Sequence, residues 1–242
     1  MRLILLPFFM AVIGMTGFGQ VSHESWDGLL KKHVDSQGNV DYLGFQEKEG
    51  ELKGYLQLLS QNPPEASLSR EHKLAYWINA YNALTVKVIA DNYPLKSIKD
   101  LNSTISIPGV STIWDKKIFR AGERELSLND IEHGILRKEF DEPRIHFAIN
   151  CASYSCPELR REAYTGRLIE KQLQEQASLF INDPKRNILS KDMLRVSMIF
   201  QWFVKDFTKE GTLVDFIKQY ATIEIDDRAR VKFITYDWSL NE

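Results

Sequence analysis

The sequence predicts an α+β protein, with a single, mainly helical domain around a small antiparallel sheet. Apolar residues recur at the three- and four-residue spacing of helices through most of the chain, whereas strand-like alternating segments are few and short. No internal repeat, low-complexity tract or Gly/Ser-rich linker divides the chain. We therefore expect one globular domain over residues 20–242.

The composition excludes several classes of protein. The chain has 242 residues, of which 43% are hydrophobic and 11% aromatic, unlike a disordered or collagen-like chain. Its formal net charge is −2, so the chain lacks the excess of lysine and arginine that is typical of nucleic-acid binding proteins. We expect no nucleic-acid partner, and an unidentified small molecule or peptide as the ligand.

Residues 1–19 have the layout of a secretory signal peptide. Arg2 is their only charge, residues 3–13 form an apolar run, and Gly17 and Gly19 place small residues at the −3 and −1 positions of a cleavage site. No later segment is long and apolar enough for a membrane helix. We therefore expect cleavage after Gly19, no membrane span in the mature chain, and a periplasmic or secreted location.

The individual elements follow from periodicity and from capping and breaking residues. Helices are predicted over 24–34, 45–59, 69–92, 127–140, 165–182, 199–207 and 212–220. Strands are predicted over 118–121 and 125–127, as a hairpin around Gly122, and over 144–150 and 231–235, with a second hairpin over 187–197. Segments 61–67 and 102–114 are predicted loops, and the second has the length of a functional loop.

The helix over 69–92 is apolar on nearly all sides, yet Asn79 and Asn82 lie on the same arc as its core residues. A buried carboxamide without partners costs about 1–3 kcal/mol, so both require a polar network inside the protein. They either bridge loop backbone or act directly at a site, as ligand-binding groups or donors to developing negative charge.

Glu132 lies in the middle of the apolar arc of the helix over 127–140. Burial should raise the pKa of this carboxyl group unless cations or donors compensate. His133 lies at the edge of the same arc, which gives the pair the residue types of an acid–base site. The alternative is a purely structural Glu132 that holds buried backbone or an arginine.

His146 and Asn150 share one face of the predicted strand over 144–150, which leads directly into Cys151 and Cys156, and Asn150 is a third candidate ligand-binding residue. The cysteines have three interpretations: a structural disulfide, a nucleophilic thiol at Cys151, or a pair of metal ligands. No compact metal-binding spacing supports zinc, so no cofactor is expected. The aromatic residues of 199–207 have the helical spacing of a packing face rather than a ligand platform.

Five motifs resemble a known family. They are LAYWINAYNALTV (74–86), LSLNDIEHGILR (126–137), RIHFAINCASYSCPEL (144–159), SMIFQWFVKDF (197–207) and YDWSLN (236–241). Together they resemble the bacterial and plant family called domain of unknown function 547, which implies no settled activity.

The order of a buried helix and a His-bearing strand resembles, loosely, the transglutaminase and papain-like folds. Those folds place a nucleophilic cysteine at the start of the central helix, whereas the corresponding helix of this chain contains Asn79 and Asn82 and no cysteine. Their Cys-His pair therefore cannot be transferred to this sequence.

Two functions remain open from sequence. The first is an exported thiol- or acid/base-dependent hydrolase or acyl transferase, with Cys151 as nucleophile, His146 or His133 as base and Glu132 as orienting group. The second is a non-catalytic ligand-binding or scaffold protein with a structural Cys151–Cys156 disulfide. The sequence itself does not decide whether the protein is an enzyme.

Overall fold

A computed structural model describes residues 21–102 and 112–242 and has the α+β architecture that the sequence predicts. The predicted signal peptide and most of the predicted loop over 102–114 lie outside the described residues. The α-helices are α1 (Glu24–His33), α2 (Tyr42–Glu47), α3 (Glu49–Gln61), α4 (Arg70–Asn92), α5 (Arg137–Phe140), α6 (Ile145–Ala148), α7 (Ile169–Asn182), α8 (Met198–Trp202), α9 (Val204–Phe207) and α10 (Leu213–Lys218). Short 3-10 turns cover Ile98–Leu101 and Ile113–Asp115, and a π-helix covers Asp130–Leu136.

The central helix is α4, with 23 residues. The Ser69 hydroxyl caps its first turn by accepting from the His72 amide, and the helix ends immediately before Tyr93-Pro94, where proline disfavours further helix. From Leu74 to Ala90 almost every side chain is buried. The helix is therefore surrounded by packed elements, as its nearly continuous apolar sequence predicts.

The strands form two small sheets. Strands β1 (Phe119–Ala121) and β2 (Arg124–Leu126) are an antiparallel hairpin, and Gly122 in its turn has φ +60°. In the second sheet β4 (Met193–Ser197) pairs with β3 (Ile188–Leu189) antiparallel and with β5 (Arg230–Ile234) parallel. The second sheet is mixed because α8, α9 and α10 form a long crossover between β4 and β5, which returns the chain in the same direction.

Three predicted helices are interrupted, and one predicted strand is wrong. The segments over 45–59 and 199–207 are each divided into two helices, α2 and α3 in the first and α8 and α9 in the second. The segment over 127–140 is helical, but it consists of the π-helix followed by α5. The segment over 144–150 is not a strand, because the amides of residues 145–147 bond to carbonyls three residues earlier and form α6. Residues 145–150 are buried throughout, so their alternating polarity does not mark a core face and a solvent face.

The apolar core has two clusters. The larger one surrounds α1, α3 and α4, and the smaller one contains the phenylalanines of α6, α7, α8, α9 and α10. The cleft described below draws wall residues from both, for example Ile149 from the first and Ile199 from the second. Within the described residues, no helix combines the length and the apolarity needed to cross a membrane.

Candidate functional site

A cleft of about 200 Å³ gathers most of the predicted site residues. It is lined by Tyr81, Trp114, Asn129, Glu132, His133, His146, Ile149, Cys151, Cys156, Pro157, Ile199, Trp202, Phe203, Tyr236 and Trp238. The four side chains predicted to be catalytic, Glu132, His133, His146 and Cys151, therefore share one cavity. The volume is below the 300–1,000 Å³ typical of pockets for drug-sized ligands, so the cleft suits one ring or side chain of a ligand.

Glu132 lies in the π-helix and is 8% exposed. The Tyr81 hydroxyl donates a hydrogen bond to its Oε2 at 3.2 Å. Burial raises the pKa of Glu132 to about 7, and the nearby Asp206 carboxylate adds to the effect, while Tyr81 and Arg137 oppose it only in part. Near neutral pH this carboxyl group is thus poised to give or take a proton.

His133 is adjacent to Glu132 and partly exposed, with 4.0 Å between its Nδ1 and Glu132 Oε1. Arg137 Nη1 donates to the same Nδ1 at 3.2 Å, since a guanidinium cannot accept. Partial burial and the Arg137 charge lower the pKa of His133. The ring is therefore neutral at pH 7, with its hydrogen on Nε2.

His146 is buried in α6 and bonded to Asp206 of α9, with 2.8 Å between His146 Nε2 and Asp206 Oδ2. Its ring stacks on Phe203 at a centroid distance of 3.9 Å. Arg137 donates two hydrogen bonds to the same carboxylate, from Nε to Oδ2 at 2.6 Å and from Nη2 to Oδ1 at 3.0 Å. Although burial opposes ionisation, His146 and Arg137 hold the pKa of Asp206 well below its usual range. Burial lowers the pKa of His146.

The His146–Asp206 pair defines the state of the imidazole. An ionised carboxylate only accepts, so Nε2 carries the hydrogen and Nδ1 has the lone pair. His146 Nδ1 is buried and has no hydrogen-bond partner within the described residues. Neither cysteine sulfur is within hydrogen-bond distance of this nitrogen, so no Cys-His pair is formed in this structure.

Cys151 and Cys156 are joined by a disulfide, with 6.3 Å between their Cα atoms. Both residues line the cleft. While the bond is intact, Cys151 has no thiol group and cannot act as the nucleophile that sequence analysis considered. The geometry therefore corresponds to the disulfide interpretation.

Aromatic side chains make up the rest of the cleft wall. Trp202, Tyr236 and Trp238 contact one another, with ring centroids 4.7–5.8 Å apart, and Trp114 packs edge-on against Trp238 at 6.0 Å. Trp202 is 44% exposed, which is unusual for so large an apolar side chain. Its exposure at a cleft indicates a surface available to a ligand.

The three predicted ligand-binding asparagines do not line the cleft. Asn79 exchanges two hydrogen bonds with the backbone of Tyr164. Asn82 donates to the carbonyl of Ala148 and accepts from the amide of Asn150. The Asn150 side chain in turn bonds to the backbone of the residue that follows each cysteine, Ala152 and Pro157. These amides correspond to the structural alternative, in which buried carboxamides bridge loop backbone.

The geometry contains no prepared metal centre in residues 21–102 and 112–242, since no group of three His, Cys, Asp or Glu side chains there could hold an ion. In the cleft, Glu132 is bonded to Tyr81, and the Nδ1 of His133 is bonded to Arg137.

The site is completed by residues that were not predicted from the sequence, namely Tyr81, Arg137, Asp206 and the aromatic wall. Asp206 and Trp202 lie in a segment predicted to be packing core. Phe200 and Phe207 are indeed buried, but Trp202 faces the cleft. The signal that could have identified Asp206 is its position within a strongly aromatic segment, where a carboxylate needs a partner.

The fold and the site together define an α+β protein with a buried carboxyl group of raised pKa in an aromatic cleft. A family model described as "Protein of unknown function, DUF547" matches residues 66–181. Residues 66–181 thus belong to the domain of unknown function 547 family, which confirms the resemblance for the three motifs that lie within this range. No curated protein and no solved structure is significantly similar to this chain.

The family match covers only part of the cleft. It includes Glu132, His133, His146, Cys151 and Cys156. It ends before Asp206 and before Trp202, Tyr236 and Trp238, which complete the aromatic wall.

Proposed function

We propose that this protein is an exported hydrolase or acyl transferase that uses acid–base catalysis, with Glu132 as the group that transfers the proton. The observation that carries the proposal is a buried carboxyl group with a pKa of about 7 in the wall of a cleft. A catalytic acid or base is most effective when its pKa is near the working pH.

The chemistry assigned to Glu132 has two halves. As a carboxylate it accepts the proton of an attacking water or hydroxyl group. As a carboxylic acid it returns that proton to the leaving group. The Tyr81 hydroxyl donates to Glu132 Oε2, and the neutral His133 ring lies beside Oε1, with 4.0 Å between its Nδ1 and that oxygen.

The aromatic wall is proposed to hold one ring or apolar side chain of the substrate. Stacking on an exposed ring such as Trp202 orients a flat group without needing a specific hydrogen bond. The His146–Asp206–Arg137 network supports this wall, because His146 stacks on Phe203 and Arg137 lies over the same ring at 4.9 Å.

Hydrolysis of p-nitrophenyl acetate tests the proposal, since this ester carries a flat leaving group and needs little binding energy. We expect Glu132→Gln to lower kcat/KM by about 10²–10⁴-fold. The matched control is Glu139→Gln, an exposed glutamate in the following helix, which should leave the rate unchanged. Equal rates for the wild type and Glu132→Gln would rule out the acid–base role.

A second candidate is a non-catalytic ligand-binding protein, and the Cys151–Cys156 disulfide favours it because it removes the thiol nucleophile. Thermal shift with monosaccharides, aromatic amino acids and short peptides tests this role. Binding that is lost in Trp202→Ala, together with no turnover of the ester, would support the binding role over the catalytic one.

Export is part of the proposal, and no cofactor is included in it. The test is amino-terminal sequencing of the protein recovered from the periplasmic fraction of a bacterial host. We expect the chain to start at Gln20. A chain that still begins with Met1 would contradict cleavage.

A further inference from the structure

The two sulfurs of the disulfide have different surroundings. Both cysteines line the cleft, but Cys151 is partly exposed, whereas Cys156 is only 3% exposed. An incoming group in the cleft therefore reaches Cys151 more easily. Attack at Cys151 would leave Cys156 as the departing sulfur.

Cys156 is the sulfur that the protein equips to carry negative charge. The amide of Cys151 donates to its Sγ at 2.9 Å, and the hydroxyl of Tyr236 donates to it at 3.3 Å. The buried Ser153 hydroxyl donates to the Tyr236 oxygen at 2.8 Å, which directs the single Tyr236 hydrogen toward sulfur. Donors of this kind stabilise a thiolate, and a stabilised thiolate leaves faster in disulfide exchange.

Cys151 has a different arrangement. Its Sγ lies 3.2 Å from Ser153 Oγ and 3.4 Å from the Tyr236 hydroxyl oxygen. With the Ser153 hydrogen given to Tyr236, the Ser153 oxygen is free to accept a hydrogen from Cys151. The reduced pair would thus consist of a Cys151 thiol with an acceptor and a Cys156 thiolate with two donors.

The loop between the cysteines is held independently of the S–S bond. The Asn150 side chain donates to Pro157 O at 2.7 Å and accepts from the Ala152 amide at 2.8 Å. From the other side, the buried Arg186 donates to the carbonyl groups of Cys156 and Tyr154. Opening the disulfide therefore leaves the two cysteines in place, which a purely structural crosslink would not require.

We propose that Cys151–Cys156 is an exchangeable disulfide that oxidises the thiol of a small cysteine-containing peptide seated in the cleft. The cavity of about 200 Å³ accommodates a cysteine side chain, and the aromatic wall contacts the groups that flank it. This activity goes beyond the hydrolytic proposal and does not depend on it.

The reaction has two exchange steps. A substrate thiolate attacks Cys151 Sγ, a bond forms between these sulfurs, the S–S bond breaks, and its electron pair leaves on Cys156 Sγ. A second substrate thiolate attacks the substrate sulfur of this mixed disulfide and expels Cys151 as a thiolate. Two thiols become one disulfide, the protein gains two electrons, and the two thiol protons become available to Cys151 and Cys156.

The experiment uses glutathione as the probe. The oxidised full chain is incubated with millimolar reduced glutathione, quenched with acid, alkylated and analysed by mass spectrometry, while circular dichroism follows the fold. We expect both cysteines to become alkylated in a protein that stays folded. A disulfide that glutathione reduces only after denaturation would overturn the proposal.

Trapping the mixed disulfide tests the direction of attack. When the reaction of the oxidised chain with reduced glutathione is quenched early with acid, we expect peptide mapping to find glutathione on Cys151, with Cys156 as the free thiol. Glutathione mainly on Cys156 would contradict the assigned order. In the otherwise intact chain, Tyr236→Phe should slow the reduction about tenfold, because one donor to the leaving thiolate is lost.

The two proposals fail separately. The exchange experiment contains no ester, so an inert disulfide contradicts the exchange activity alone. Loss of ester hydrolysis in Glu132→Gln bears only on the acid–base role.

Discussion

Asp206 Oδ2 lies 2.8 Å from His146 Nε2, across a separation of 60 residues in the sequence. The contact joins α6 to α9, and Arg137 at the start of α5 binds the same carboxylate. One carboxylate thus connects three short elements directly behind the cleft. His146 also stacks on Phe203, which lines the cleft, so the three elements support the cleft wall.

Asp206→Asn should lower the free energy of unfolding by about 1–3 kcal/mol, because two charge-assisted hydrogen bonds from Arg137 are weakened. Since the folded-state pKa of Asp206 is depressed, this stability is present above the unfolded pKa of about 4 and is lost as the pH falls. Urea unfolding at pH 7 and pH 3 measures it. Asp226→Asn, at an exposed surface position, is the control, and an equal loss there would refute the assignment.

Glu132→Gln should make the protein more stable at high pH. The pKa of Glu132 is raised from 4.5 to about 7, so between these values the folded chain keeps a proton that the unfolded chain has lost. The stability of the wild type therefore decreases as the pH rises through this range. At pH 8 the variant should exceed the wild type by on the order of 3 kcal/mol, with little difference at pH 4. Urea unfolding curves with no pH-dependent difference would contradict the raised pKa.

Trp202→Ala should weaken the binding of the ligand. The side chain is 44% exposed and lines the cleft, so its truncation removes a face on which a ring would stack. We expect KM for p-nitrophenyl acetate to rise about tenfold with kcat unchanged, as the loss of one aromatic contact implies. Ile223→Ala, at a similarly exposed apolar residue outside the cleft lining, should change neither constant. A fall in kcat with KM unchanged would show that Trp202 does not act by binding.

Asn82→Ala should destabilise the protein by about 2–4 kcal/mol. The substitution leaves the carbonyl of Ala148 and the amide of Asn150 buried without their partner. Asn92→Ala near the end of the same helix is the control, because its amide bonds only to the carbonyl one turn earlier and the residue is exposed. Differential scanning calorimetry compares the two. A similar melting temperature for both variants would mean that the Asn82 bridge is not structural.

The sequence was informative where one residue must satisfy a local physical demand. Glu132 within an apolar arc predicted a buried carboxyl group with a raised pKa, and burial in the π-helix has that effect. Asn79 and Asn82 on a buried helix predicted an internal polar network, and both bridge backbone. These predictions hold because the cost of burying a polar group is large and does not depend on which residue relieves it.

The sequence did not predict the local structure or the cleft-lining residues where these depend on contacts with residues distant in the chain. The alternation over 144–150 is not that of a strand, because packing on all sides stabilises α6 and both faces of the segment are buried. In the segment over 199–207, helical spacing correctly indicated packing for Phe200 and Phe207, but it did not indicate that Trp202 lines the cleft.

By itself, the sequence determined that this protein is an α+β domain with a carboxyl group turned inward at Glu132, and that residues 66–181 belong to the 547 family. Only the tertiary structure decided what that carboxyl group shares a cavity with: the disulfide, the aromatic wall and the network of His146, Asp206 and Arg137. The physical reason is the range of the interactions. Burial and helical periodicity are encoded by neighbours in the chain, whereas a hydrogen bond between α6 and α9 exists only after the chain has folded.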